Sequence, residues 1–89
     1  MTNPLVDEIR SRLTVLAPEA LDVHDDSAAH AGHAGAAAGG GHFDVLIVSD
    51  AFAGLNSLAR HRKVYALLGD LMPHRIHALS LKALTPDEL

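Results

Sequence analysis

The sequence predicts an α+β domain, a two-layer α/β sandwich ordered helix–strand–strand–helix–strand over a three-stranded mixed sheet. Three observations predict it. Apolar residues recur at spacings of three and four both near the start and after residue 56, the period of amphipathic helices. Between those segments Phe43, Val45, Leu46, Ile47 and Val48 form a short run rich in β-branched residues, the pattern of a strand buried on both faces. A third strand pattern follows the second helix. A right-handed helical crossover makes strands two and three parallel, whereas the loop joining strands one and two makes them antiparallel. Both helices then cover one face of the sheet.

Each element has its own signals. Asn3 can cap a helix whose first residue is Pro4, where a missing N–H is harmless. Asp7 and Glu8 complement the helix dipole, and Leu5, Ile9, Leu13 and Leu16 make one stripe. Pro18 ends this helix, which is expected over 4–16. Leu21 to Asp25 alternates apolar and polar, as a half-buried strand does. Residues 26–41, DSAAHAGHAGAAAGGG, are far longer than a tight hairpin loop and are expected to be flexible or functional. The central strand is expected over 42–49. Phe52-x-Gly54 marks a bend, and Asn56 or Ser57 can cap the second helix. Its expected apolar face is Leu58, Tyr65, Leu68, Leu71 and Met72 with Val64 beside it, and Pro73 stops it. The third strand, 76–81, has two possible buried faces: strict alternation puts His77 and Leu79 on one side and Ile76, Ala78 and Ser80 on the other. Thr85-Pro86-Asp87-Glu88 looks like the capped start of a stub helix.

Composition narrows the function classes. The 89 residues make a single domain, 1–89, with room for one core. The net charge of −4 argues against a strongly basic nucleic-acid binder while allowing a local basic patch. The absence of cysteine removes disulfides, thiolate catalysis and any Cys-based metal site supplied by this chain alone. No apolar run reaches membrane-spanning length and nothing resembles a signal peptide, so a cytoplasmic location is expected. No nucleophile is positioned beside a base, Ser49-Asp50 included, so no enzyme is expected. The anomaly is seven histidines, at 24, 30, 33, 42, 61, 74 and 77. Histidine is the commonest metal ligand.

A set of short motifs carries a family resemblance. In order they are Asp26-Ser27-x-x-His30, His42-Phe43, Val48-Ser49, Phe52-x-Gly54, Arg60-His61-Arg62-x-Val64-Tyr65 and Ile76-His77-Ala78-Leu79-Ser80-Leu81. Together, at these spacings, they make the chain similar to BolA-family proteins over roughly residues 4–84. The resemblance implies a fold like that of class II KH domains. It implies a monothiol glutaredoxin partner of the CGFS type and a [2Fe–2S] cluster bridged between the two proteins, in iron–sulfur trafficking or iron-status signalling. It also implies DNA binding and transcriptional control of stress response and cell shape as a second theme. The loop departs from the family pattern: Asp26 stands where many members have Glu, and a second histidine, His33, follows His30.

Two candidate chemistries follow. In the first, His77 is a fixed cluster ligand on a strand, and His30 or else His33 is a second ligand carried by the glycine-rich loop. Imidazole binds iron through a neutral ring nitrogen. With no cysteine here, the thiolates must come from the partner, and the resemblance adds glutathione. His42 is expected to be structural, and His24 and His74 ordinary surface residues. In the second, Arg60, Arg62 and Lys63 form a basic helix start that meets phosphates or an acidic partner surface. The isolated protein is expected to be a monomer or weak dimer that does not associate with membranes.

Overall fold

The computed structural model describes residues 4–25, 41–72 and 75–89. Helix α1 (Pro4–Leu13) begins at the proline, as expected, and tightens into a 3-10 turn at Thr14–Leu16. Ile9 and Leu13 are fully buried, and Leu16 nearly so, which is the stripe read from their spacing. Strand β1 (Ala20–Asp25) pairs antiparallel with β2 (Gly41–Val48), and β2 pairs parallel with β3 (Ile76–Leu84). The sheet order is β1-β2-β3, and helix α2 (Ser57–Leu68) crosses between β2 and β3. The predicted two-layer, mixed-sheet architecture is therefore the one observed.

Register places the core. Val45 lies opposite Val23 on one side and Leu81 on the other, Phe43 opposite Leu79, and Ile47 opposite Leu21 and Ala83. Paired residues share a face of a sheet. That face packs against Ile9, Leu13 and Leu16 from α1 and its turn, and against Val64, Leu68 and Leu71 from α2 and its extension. The expectation that β2 is buried on both faces needs correction. Phe43, Val45 and Ile47 are buried, but His42, Asp44 and Leu46 between them are only half-buried. Both helices lie on one side, so among the described residues no helix covers the other side of the central strand.

The exposed and buried sides of α2 also differ from expectation. Val64 and Leu68 are fully buried, whereas Leu58 is 59% and Tyr65 39% exposed. The buried stripe runs through Arg60, Val64 and Leu68 at intervals of four, and the 58/65 pair, seven apart, falls on the outer side. Each fully buried Val or Leu of this stripe contributes about 1.5–3 kcal/mol by removal from water. The helix also stops at Leu68, before Met72. Gly69 adopts φ of 34° and starts a 3-10 turn, Gly69–Leu71. At the other end Asn56, not Ser57, is the cap: its Oδ1 accepts from the Ala59 N–H at 2.9 Å.

Two polar clamps fasten the elements. Arg12 donates to Glu8 at 3.0 Å, to Asp70 at 2.8 Å and to the Leu68 carbonyl at 3.2 Å. It thus satisfies a carbonyl that the end of α2 leaves without a helical partner. Buried Ser49 donates its hydroxyl to the Leu16 carbonyl at 2.6 Å and accepts from the Ala51 N–H at 3.0 Å. One side chain therefore joins the end of β2 to the α1 turn and caps the 3-10 turn Asp50–Phe52.

Candidate functional site

The candidate ligand His77 sits at an irregularity in β3. Gly41 pairs with Ile76 and His42 with Ala78, so the ladder skips His77. One extra residue on one strand is a β-bulge. It settles which face of β3 is inward. Ile76 before it is fully buried, and Leu79 after it packs on the core. Strict alternation cannot bury both. The extra residue absorbs the mismatch, and His77 is exposed. Because β3 is an edge strand, that imidazole is open to an approaching molecule.

The chain is tight on the opposite side of the bulge. The Gly41 N–H donates to the Arg75 carbonyl at 3.1 Å. A Cβ on Gly41 would run into the Phe43 ring, which is itself buried in the core. His42, half-buried, follows immediately and stands across from the bulge. Glycine at 41 thus leaves room for the buried Phe43 ring beside the bulge.

His30 and His33, the two alternatives for a loop ligand, lie outside the described residues, as does His74. Among the described residues no group of three or more His, Cys, Asp or Glu is placed to hold a metal ion. His77 is thus a lone candidate, with no complete ligand set around it among those residues.

The basic trio separates into two kinds of residue. Arg60 is pinned: its Nε donates to the Leu55 carbonyl at 2.9 Å and its Nη1 to the Ala83 carbonyl at 3.1 Å. Its Nη1 and Nη2 also grip both oxygens of Glu88, at 2.5 and 3.0 Å. Glu88 belongs to the 3-10 turn Pro86–Glu88, where it completes a capping box with Thr85. The Arg60 hydrogen bonds, and then the Thr85 N–H, hold the Glu88 carboxyl at about 2 instead of its usual 4.5. Arg62 and Lys63, by contrast, are exposed. Beside them Leu58, His61 and Tyr65 continue an outer surface on α2, with the His61 and Tyr65 rings edge-on at 6.2 Å and 61°. Sequence reading assigned Leu58 and Tyr65 to the core and so missed this surface. The Arg60–Val64–Leu68 spacing was the available signal, obscured because its first member is charged.

Comparison with known proteins decides the family. Residues 13–88 match the sequence model for BolA-like proteins. The chain belongs to the BolA family. The solved BolA domain of SufE1 from Arabidopsis thaliana superposes with a TM-score of 0.86 at 41% identity, covering 100% of both chains. The full SufE-like protein 1 of that plant is 46% identical over 79 residues, 83% of this chain but only 21% of the longer protein. Human BolA-like protein 1 is 39% identical over 84 residues, 93% of this chain and 59% of that protein. A Haemophilus influenzae protein named DNA-binding transcriptional regulator BolA is 35% identical over 71 residues, 80% of this chain and 66% of its own length. This BolA-family chain therefore spans between about a fifth and two-thirds of these curated relatives. No helix among its described residues is long and apolar enough to cross a membrane.

Proposed function

We propose that this BolA-family chain is a non-enzymatic adaptor that binds a monothiol, CGFS-type glutaredoxin and shares a bridging [2Fe–2S] cluster with it. The observation that carries the reading is the placement of His77: an exposed imidazole, held at a bulge on an edge strand of an otherwise regular sheet. Bulges re-aim side chains at functional positions. A rigid strand also suits a ligand that must meet a metal on a second protein at a fixed angle. This chain has no cysteine to offer. Its share of the ligands is therefore His77, with His30 or His33 from the 26–41 segment as the second. The partner and glutathione supply the thiolates.

When bound, a [2Fe–2S] cluster supplies a transferable redox centre, and histidine in place of thiolate raises its potential. The protein's own work is to present His77 and to dock the partner. The α2 surface of exposed Leu58, Arg62, Lys63 and Tyr65, with half-buried His61 among them, suits docking, because it joins an aromatic and an aliphatic anchor to positive charge. That a relative carries this domain within a SufE-like protein is consistent with an iron–sulfur setting.

The test mixes the protein with a CGFS-type glutaredoxin, iron, sulfide and glutathione, and records mass and visible circular dichroism. A heterodimer with a cluster signal absent from either protein alone is expected. An unchanged cluster spectrum with the His77→Ala variant would falsify the ligand assignment.

A second reading is favoured by the name of the Haemophilus relative together with the exposure of Arg62 and Lys63. In it the chain binds DNA, and the α2 cations meet phosphates. Affinity that falls steeply with salt, and falls again on joint replacement of Arg62 and Lys63 by alanine, is the expected behaviour.

A further inference from the structure

A groove runs between the start of α2 and the end of β3, lined by residues that include Leu55, Ser57, Arg60, His61, Lys82 and Glu88. Its centre is the Arg60 guanidinium. We propose that this groove is a phosphate-binding site for nucleic acid which Glu88 occupies in cis, so that the Thr85–Glu88 turn masks Arg60 until a phosphate displaces the carboxylate. The proposal rests on the DNA-binding reading above.

Three observations carry it. First, Arg60 does not depend on Glu88 for its aim. The Leu55 and Ala83 carbonyls hold Nε and Nη1 from the protein side. The two terminal nitrogens then face Glu88 as a fixed fork. A guanidinium fork takes carboxylate and phosphate oxygens in the same bidentate way. The carboxylate already seated there shows that the fork accepts an oxyanion.

Second, the occupant can leave without opening the core. The Pro86–Glu88 turn contains no buried residue, and Thr85, which is buried, anchors its start. The Arg60 side chain is 13% exposed while that of Glu88 is 39% exposed, so the carboxylate covers the cation and is itself reachable from solvent. Third, the groove holds more than one anion-seeking group. His61, Lys82 and Ser57 line it with Arg60. Arg62 and Lys63 follow on the same helix. Unmasking Arg60 would therefore add a preorganised contact to cations that are already exposed.

The test titrates a fluorescent mixed-sequence DNA duplex with wild type, Glu88→Gln and Asp7→Asn at several salt concentrations. Glutamine can keep the bond from the Thr85 N–H while removing the charge that competes for Arg60. Asp7, exposed on α1 and not part of the groove lining, makes the same change in net charge. Glu88→Gln is expected to bind at least about threefold tighter than Asp7→Asn, because apparent affinity falls with the fraction of protein held in a masked state. Its plot of log affinity against log salt should be steeper by about 0.9, the increment for one added phosphate contact.

Binding by Glu88→Gln with none by wild type would support the mask in its strongest form. If wild type binds and Glu88→Gln merely matches Asp7→Asn, masking is overturned while DNA binding stands. If neither wild type nor Glu88→Gln binds at low salt, the DNA reading itself falls and the proposal with it. Glu88→Ala, compared by circular dichroism and the same titration, decides the matter should glutamine fail to fold.

Discussion

His77 is exposed because the β2–β3 ladder skips it, and the ladder skips it because Ile76 and Leu79 must both reach the core. An apolar requirement on either side of one residue thus produces an open polar position on an edge strand. Two expectations follow at this scale. His77→Ala should leave thermal stability within about 0.5 kcal/mol of wild type, since exposed substitutions rarely matter more, yet abolish the cluster signal of the reconstituted heterodimer. A stability loss comparable to a core deletion would mark His77 as structural. Gly41→Ala should act in the opposite sense. Its Cβ meets the Phe43 ring, which cannot swing away inside the core. A cost of about 1–3 kcal/mol, typical of overpacking, is expected in urea unfolding. Cluster binding should weaken with it, because the backbone around the bulge must shift.

Helix α2 is the element whose two sides do different work. Leu68→Ala should cost about 2–5 kcal/mol, as buried leucine deletions do. Leu58→Ala should cost under about 0.5 kcal/mol and instead weaken glutaredoxin binding, measured by calorimetry. Equal destabilisation by both would return Leu58 to the core. This contrast also marks the limit of what the sequence made legible. Periodicity revealed that the segment is helical, narrowed its cap to Asn56 or Ser57 and implied that it joins two parallel strands, because those properties depend on neighbouring residues. It did not reveal which of two helical stripes is buried. Leu58, Leu68 and Tyr65 are all apolar, and only the partner of Arg60 separates them. That partner, Glu88, lies 28 residues away. The His77 bulge was hidden for the same reason, since a register belongs to two strands and neither contains it alone. His77 as a candidate ligand was legible, through its motif. The outer α2 surface was not.

Across the whole molecule, α2 is fastened at both ends by ion pairs to distant segments. Arg12 from α1 reaches Asp70 beyond its last turn, and Glu88 reaches Arg60 near its first. Each pair lowers the pKa of its carboxylate, through the arginine hydrogen bond first in both cases. A carboxyl whose folded pKa is depressed contributes stability that is fully present above its unfolded pKa and lost as pH falls toward the folded value. For Glu88 that window runs from 4.5 down to about 2. The two pairs should not contribute equally. The Asp70 side chain is 82% exposed and the Glu88 side chain 39%, and solvent and salt screen the more exposed pair more strongly. Wild type should therefore be more stable than Glu88→Gln at neutral pH. The difference in melting temperature should narrow steadily from pH 4.5 to pH 2, because protonation then does to wild type what the substitution has already done. Asp70→Asn should show a smaller gap that closes in the same direction, and 0.5 M salt should shrink it more than the Glu88 gap. A Glu88→Gln gap that stays constant down to pH 2 would mean that this turn is held by its capping hydrogen bonds and not by the charge on Arg60.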